Sequence, residues 1–205
     1  MSETSPEDVH RFWFGDAADD PRAADVRREL WFRGSPAFDD EIRGRFAATI
    51  ARAARGELSD WEREPRSCVA LVLVLDQFPR NAYRNTAIAF ENDSMALAFT
   101  RRAIVARHLE RLSIAECAFL LMPYQHVEAL SAQRQGVAHF ERLVAAASDE
   151  WRSFAENTLQ FAQRHLAIIE RFGRFPHRNA ILRRRSTPAE QAYLDSRPDT
   201  FGQSA

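Results

Sequence analysis

Apolar residues recur at helical spacing along much of the chain. Phe38, Ile42, Phe46 and Ile50 follow one another in steps of four, which places them on one face of a helix. A longer stripe alternates steps of three and four through Trp151, Phe154, Thr158, Phe161, His165, Ile168 and Phe172. Each stripe predicts an amphipathic helix that turns its apolar face towards a protein core.

The segment CVALVLVL at residues 68–75 allows two interpretations. Its β-branched alternation suits a buried strand, but one strand cannot make a sheet. The chain has no second run of this kind and no Asn-Gly or Asp-Gly hairpin signal. We therefore interpret residues 68–75 as a fully buried central helix.

Polar residues, prolines and glycines mark the boundaries of the predicted helices. A hydroxyl side chain before a proline caps a helix start, and a glutamate three residues after the cap completes a capping box. These signals occur at Ser5-Pro6, Ser35-Pro36, Thr187-Pro188 and, as capping boxes, at Ser113 and Thr187. Gly56 and Gly173 suit helix ends.

These elements predict one all-α domain spanning residues 1–205. With helices of about 10–20 residues joined by short turns, the length allows about seven to nine helices. No glycine linker or low-complexity segment divides the chain. The last residues, 196–205, have the composition of a loosely ordered tail.

Charge and composition exclude several kinds of chemistry. The chain carries 28 basic and 29 acidic side chains, so no overall field attracts nucleic acid or an anionic membrane. All 28 basic residues are arginine, and the absence of lysine excludes a Schiff base, a pyridoxal-phosphate anchor and a P-loop lysine. Motifs of the types GxSxG, GxGxxG and HExxH are also missing. We predict no cofactor.

Cysteine usage and the start of the chain favour a cytoplasmic protein. Cys68 and Cys117 each lie in an apolar run, as buried reduced thiols do. The acidic, polar start and a longest apolar run of eight residues, 68–75, predict neither a signal peptide nor a membrane span.

Two similar corners carry the most suggestive chemistry. LDQFPRN at 75–81 and RFGRFPHRN at 171–179 both place Arg-Asn after Phe-Pro, the second with His177 inserted. Each proline is expected to end its preceding helix sharply, with an extended phenylalanine before it anchored in the core. The corners would then present Arg80, Asn81 and, one turn on, Arg84, together with His177, Arg178 and Asn179.

Arginine forks suit carboxylate or phosphate groups, and asparagine both donates and accepts. If the two corners faced each other, they would form a pocket for an anion. The alternative is that each arginine bonds the carbonyls ending its own helix and each asparagine stabilises its own turn.

Histidines supply candidates for proton transfer. His165 interrupts the apolar stripe of its helix, so its ring needs a polar partner, which would be either structural or in the same pocket. His126 follows Pro123 and has Glu128 or Gln125 nearby, which suits a proton carrier, although an exposed turn is an equal alternative. His177 completes the catalytic candidates. The spacing of these residues matches no recognised zinc motif, and we predict no metal.

The run Arg183-Arg184-Arg185 raises the alternative of nucleic-acid binding. Three arginines with few aromatic neighbours in a neutral chain are more typical of a solvated helix end. We therefore expect no nucleic-acid partner.

Several segments resemble the bacterial domain-of-unknown-function 924 family. They are FWFG at 12–15, LWF at 30–32, FDDEIRGRF at 38–46, LDQFPRNAYR at 75–84, MPYQHVE at 122–128 and GRFPHRNAIL at 173–182. The resemblance covers nearly the whole chain and implies a single all-α domain with tetratricopeptide-like antiparallel helix packing. It implies no established activity.

Two positions depart from the expected family pattern. Gln125 stands where an acidic residue is expected before His126, which places an acid/base role centred on residue 125 in doubt. Arg183 and Arg185 stand where glycine and an acidic residue are expected, which would make the rim of a pocket more basic.

Two hypotheses follow from these observations. In the first, Arg80, Asn81, Arg84, Glu128, Arg178 and Asn179 bind an anionic small molecule, and His126, His165 or His177 moves a proton if there is chemistry. In the second, the protein is a tetratricopeptide-like adaptor for a peptide or protein partner, and the corners are structural. The sequence leaves open whether the protein is an enzyme and what its oligomeric state is.

Overall fold

Helices make up all the regular secondary structure in the described residues, which are 3–33, 35–196, 198 and 201 of this computed structural model. In chain order the α-helices are α1 (Pro6–Phe14), α2 (Pro21–Arg33), α3 (Pro36–Ala54), α4 (Pro65–Leu75), α5 (Gln77–Ala82), α6 (Asp93–Val105), α7 (Ile114–Leu121), α8 (Pro123–His126), α9 (Leu130–Ala146), α10 (Asp149–Phe172) and α11 (Pro188–Asp195). The predicted all-α class is confirmed. The helices outnumber the predicted seven to nine because α5 and α8, with 6 and 4 residues, are too short to show a period in the sequence.

The predicted helix starts are confirmed. Ser5, Ser35 and Thr187 each accept a hydrogen bond from the backbone N–H three residues later, and a proline follows each cap. Ser113 and Thr187 form complete capping boxes with the glutamates three residues after them. Gly56 follows α3 with a φ of 77°, a conformation that suits glycine at a helix end.

Helix α4 is the centre of the core. It contains the segment 68–75, and every side chain of that segment is buried. The helix packs against α1, α3, α6 and α7, so no side of the segment 68–75 faces water and its apolar residues need no helical period. The interpretation of this segment as a buried helix is confirmed.

The two apolar stripes lie on α3 and α10. All four residues of the α3 stripe are buried. On α10, which packs along α9, the central residues Phe154, Thr158, His165 and Ile168 are buried, while Phe161 stays partly exposed. The partly exposed ring marks the place where α10 borders a cavity.

The first Phe-Pro corner differs from its predicted form. Helix α4 ends just before Asp76 (φ −112°, ψ −60°), and Phe78 and Pro79 lie inside α5 rather than in an extended turn. The reason is that Pro79 has no N–H to give to the carbonyl of Leu75, so the break falls before the proline, which then sits in the first turn of a new helix. Phe78 is fully buried, as predicted.

The second corner keeps the expected form. Helix α10 ends before Gly173, whose φ of 70° is left-handed. Phe175 is extended (φ −90°, ψ 106°) and fully buried, and a 3-10 turn spans Pro176–Arg178. This corner therefore holds His177 and Arg178 on a rigid, buried turn.

Most of the predicted tail, residues 197, 199, 200 and 202–205, lies outside the described residues. Phe201 is described, and its ring contacts His165. Within the described ranges, no helix combines the length and the apolar character that crossing a membrane requires.

The two cysteines are buried free thiols. Burial raises the pKa of Cys68 and of Cys117 to about 12, so neither is a thiolate at neutral pH. The predicted inert role of both thiols agrees with this environment.

Gly136 of α9 touches Tyr124 of α8, and we expect Gly136→Ala to lower the free energy of unfolding by about 1–2 kcal/mol. A Cβ at residue 136 would lie 2.6 Å from Tyr124 Cβ, so the two helices would have to separate. Gly44 of α3 is the matched control because a Cβ there meets nothing within 4 Å, and Gly44→Ala should add up to about 1 kcal/mol through helix propensity. Urea unfolding checks both variants, and equal effects would contradict a tight α8–α9 contact.

Candidate functional site

A cavity of about 960 Å³ opens between α2, α5, α8, α10 and the turn at Pro176–Arg178. Its wall combines arginines, carboxylates, histidines, amides, hydroxyls and apolar, mostly aromatic, side chains: Arg28, Arg80, Arg84, Arg178, Asp25, Glu29, His126, His165, His177, Gln77, Asn81, Gln125, Asn157, Ser153, Thr158, Trp31, Phe32, Phe90, Phe161, Phe201 and Met122. Seven of the nine candidate residues line it: Arg80, Asn81, Arg84, Arg178, His126, His165 and His177. The other two candidates lie elsewhere.

The two corners meet at one carboxylate. Arg80 Nη2 donates to Asp93 Oδ1 at 2.7 Å, and Arg178 Nη1 donates to Asp93 Oδ2 at 3.2 Å. All three side chains are largely buried, with 13%, 7% and 9% of the Arg80, Arg178 and Asp93 side chains exposed. Asp93, the first residue of α6, therefore bridges arginines from two distant parts of the chain.

The Arg178 guanidinium packs on two aromatic rings, and Nη1 is its only nitrogen that donates hydrogen bonds within the described residues. Its guanidinium carbon lies 4.4 Å from the ring centroids of both Phe90 and Phe175, and Nη1 also donates to the carbonyl of His126 at 2.9 Å. Nε is buried and makes no hydrogen bond, and Nη2 bonds no side chain or carbonyl in the described part of the chain. Burial lowers the pKa of Arg178 to about 10, against the opposing effect of Asp93, so the group remains a cation at neutral pH.

His126 forms a dyad with the fully buried carboxylate of Asp76. His126 Nδ1 lies 2.7 Å from Asp76 Oδ1. Asp76 also accepts from Gln77 Nε2 at 2.6 Å and pairs with Arg80 Nη1 at 3.0 Å. Burial raises the pKa of Asp76, but Arg80, His126 and Gln77 outweigh burial and hold that pKa well below its usual value.

Both cavity imidazoles near this dyad favour the neutral form. The pKa of His126 is lowered mainly by burial and secondly by the positive charge of Arg80, and both effects outweigh the opposing effect of Asp76. Burial, followed by His126, lowers the pKa of His165 well below its ordinary value of 6.5. His165 Nδ1 donates to the Phe161 carbonyl at 2.7 Å, and its ring centroid is 5.9 Å from that of His126.

The remaining cavity candidates differ in how firmly they are held. Arg84 donates to both oxygens of the Asp39 carboxylate, from Nε to Oδ2 at 2.8 Å and from Nη2 to Oδ1 at 3.0 Å. Asn81 Nδ2 also donates to Asp39 Oδ1, at 2.8 Å. His177 is buried on the second corner, with its ring 5.5 Å from that of Phe175. Arg84 and Asn81 therefore have a structural partner in Asp39 while they border the cavity.

Glu128 and Asn179 do not line the cavity, contrary to their predicted role as ligand-binding residues. Glu128 accepts from the Phe175 backbone N–H at 2.8 Å and pairs with Arg184. Asn179 donates to Ser186 and accepts from Arg184. These bonds brace the second corner, and Arg184 belongs to this brace instead of a solvated helix end.

The suggested pairing of His126 with Glu128 or Gln125 is wrong, because the partner of His126 is Asp76. Helix α8 ends at His126 and Val127 is extended (φ −80°, ψ 141°), which carries Glu128 away towards Arg184. Asp76 and Asp93 were missed as site residues. Asp76 had one usable signal, since a carboxylate directly after a fully apolar run must be buried with a partner; nothing in the local sequence marks Asp93.

Among the residues that the structure describes, no group of three His, Cys, Asp or Glu side chains is arranged to hold a metal ion. The functional groups on the cavity wall are guanidinium, carboxylate, imidazole, amide, hydroxyl and aromatic groups.

The fold and the site define an all-α, single-domain protein with a polar cavity that combines arginines with histidines. The chain belongs to the family described as bacterial protein of unknown function (DUF924), whose model matches residues 9–197. A solved structure titled protein of unknown function ATU0120 from Agrobacterium tumefaciens is 34% identical, with a TM-score of 0.79, and the match covers 93% of this chain and 97% of that one.

No curated protein matches the chain. The tetratricopeptide-like helix packing that the family resemblance implied stays a prediction.

Proposed function

We propose that the protein binds an anionic small molecule in the cavity. The observation that carries this proposal is the forked edge of Arg178, Nε and Nη2, which has no hydrogen-bond partner in the described ranges although Arg178 lines the cavity. In two other arginines, Nε and Nη2 both donate to a single carboxylate: Arg84 to Asp39 and Arg174 to Glu190.

A buried hydrogen-bond donor without an acceptor costs about 1–3 kcal/mol, so Arg178 Nε favours a ligand that supplies an acceptor. A ligand carboxylate or phosphate would supply two oxygens to the Arg178 fork in a charge-assisted pair. Asp76 and Asp93 balance Arg80 and Arg178, and the carboxylates of Asp25 and Glu29 also line the cavity, so directional donors support the proposal more than excess positive charge does.

The test is calorimetric titration of the protein with inorganic phosphate, sulfate and acetate, with chloride at the same ionic strength as the reference. An oxyanion at a hundred times its dissociation constant adds about 2.7 kcal/mol, which would raise the unfolding midpoint by a few degrees. Absence of binding by all three oxyanions, together with unchanged midpoints, would reject the proposal.

A second candidate function, acid–base catalysis in the same cavity, is favoured by the Asp76–His126 dyad. A carboxylate on Nδ1 fixes the tautomer that leaves Nε2 as a proton acceptor, and Nε2 of His126 has no hydrogen-bond partner among the described residues. The lowered pKa of His126 keeps that acceptor neutral at pH 7. His126 would take a proton from the bound molecule or from water, and Asp76 would position the ring.

Nitrogen-detected NMR of the histidines checks this candidate. We expect His126 to carry its proton on Nδ1 and to titrate below pH 6.5. Asp76→Asn should lower the pKa of His126 further, because it removes the anion that favours the imidazolium. A proton resident on Nε2 in the wild-type protein, or a higher His126 pKa in the variant, would contradict the dyad's role.

The alternative of a tetratricopeptide-like adaptor for a peptide or protein stays a prediction. Recovery of a stoichiometric protein partner by the wild-type protein, and equally by a variant that has lost oxyanion binding, would favour it over the cavity proposal.

A further inference from the structure

Part of the cavity wall is aromatic. Trp31 and Phe32 of α2 and Phe161 of α10 line it. The rings of Phe32 and Phe161 are nearly parallel, at 17° and 6.1 Å between centroids. Phe32 and Phe161 are partly exposed, so part of each ring is accessible from the cavity.

The cavity wall already stacks one ring on an imidazole. The ring of Phe201 lies 3.7 Å from that of His165, at 25°, and 6.4 Å from that of Phe161. At this distance, which is shorter than most aromatic pairs adopt, the two rings are in face-to-face contact, so Phe201 covers that face of the imidazole. Phe161 is the partly exposed ring beside this pair, and a planar ring packed on it would lie in aromatic surroundings.

Two amides near this wall have hydrogen-bonding capacity left. The Gln125 residue is 4% exposed and lines the cavity, yet its side-chain amide bonds no group in the described portion of the chain. Asn157 of α10 is half-buried and also lines the cavity. A buried amide favours a polar partner, and heteroatoms at the edge of a ring would provide one.

A chain of ring contacts connects Arg178 with the aromatic part of the cavity wall. Arg178 contacts Phe175 at 4.4 Å, and the Phe175 ring is 5.6 Å from that of His165. His165 in turn stacks on Phe201. Phe161 comes next in this chain of contacts, 6.4 Å from Phe201, so the Arg178 fork and Phe161 are separate parts of one cavity. A volume of about 960 Å³ exceeds what an inorganic ion needs.

We infer that the natural ligand is an anion that carries a planar aromatic or heteroaromatic ring. Its anionic group lies on the fork of Arg178, and its ring packs against Phe32 and Phe161, in the cavity that Gln125 also lines. The inference rests on the proposed function and adds the class of ligand. An aryl phosphate and an aromatic carboxylate share this chemistry.

The experiment compares ligands that differ only in the ring. Calorimetry measures phenyl phosphate against methyl phosphate and benzoate against acetate. In at least one pair we expect the ring-bearing anion to bind about tenfold tighter or more, and the pair that shows the difference identifies phosphate or carboxylate as the anionic group.

The outcomes separate this inference from the proposal on which it rests. Equal affinities within both pairs would keep the anion site and overturn the ring inference. Failure of all four anions to bind would overturn both.

Phe161→Leu locates the ring, because leucine keeps an apolar side chain but removes the aromatic face. It should abolish the preference for phenyl phosphate and leave the affinity for methyl phosphate unchanged. Phe172→Leu is the matched control, since Phe172 is also half-buried on α10 but packs on Tyr193 outside the main cavity. A preference that survives Phe161→Leu, or disappears in both variants, would overturn the assigned ring position.

Discussion

Replacing Asp93 by asparagine is expected to lower the free energy of unfolding by about 3 kcal/mol, because breaking a buried ion pair leaves an uncompensated charge. Asp93 is the shared acceptor of Arg80 and Arg178, and asparagine keeps its size while it removes the charge. Arg80 retains Asp76, so Arg178 carries most of the loss. Urea unfolding at pH 7 measures the change.

The control is Asp60→Asn, which removes a carboxylate from a pair with Arg63 whose side chains are 77% and 79% exposed. An exposed pair of this kind contributes at most about 1 kcal/mol. A loss no larger for Asp93→Asn than for Asp60→Asn would show that Asp93 does not hold the corners together.

The Asp93→Asn variant also tests whether phosphate binds at Arg80 and Arg178. With Asp93 neutral, the cavity gains net positive charge, so a bound phosphate should compensate Arg178 in place of the missing carboxylate. Phosphate is therefore expected to stabilise the Asp93→Asn protein more than it stabilises the wild type. Equal stabilisation would place phosphate away from these arginines.

Replacing Arg178 by lysine is expected to weaken oxyanion binding about a hundredfold, a loss of about 2.7 kcal/mol. Lysine keeps the positive charge but loses the planar fork, so the loss would come from geometry. Calorimetric titration with phosphate measures it. The variant is also expected to be less stable, because the contacts with Asp93 and the His126 carbonyl are disturbed.

Arg174→Lys separates binding from stability. Arg174 holds Glu190 through the same forked edge, with Nε at 2.6 Å and Nη2 at 2.8 Å, but it does not line the cavity. Its replacement should reduce stability and leave phosphate affinity unchanged. If both variants bound phosphate equally well, Arg178 would be a structural residue only.

Local rules predicted the helices well because local physics determines them. The caps at Ser5, Ser35, Ser113 and Thr187 and the stripe on α3 depend on residues within a few positions of one another. The position of the first break was missed by three residues, because Pro79 acts on the carbonyl four residues before it and not on its own position.

The site was predictable in its residue types but not in its partners. The repeated Arg-Asn corners, and His165 as a polar residue in an apolar stripe, identified six of the polar residues that line the cavity. The pairings of Asp93 with Arg178 and of Asp76 with His126 could not be predicted, because they join segments far apart in the chain and depend on how the helices cross. The pairing of Asp76 with Arg80 spans only four residues. Asn179 and Glu128 share the second corner's neighbourhood but face away from the cavity, where they bond Arg184.

The bridge at Asp93 also sets an order for biosynthesis. Asp76, Arg80 and Asp93 are all present early in translation, whereas Arg178 joins them only after α10 has formed and the chain has turned at Gly173. Until then the cluster holds two carboxylates for one guanidinium and would repel an anion. If the proposed anion binding is correct, a ribosome-bound chain that has not yet reached residue 178 would not bind the anion, and binding would report that the second corner has joined the helices that precede it.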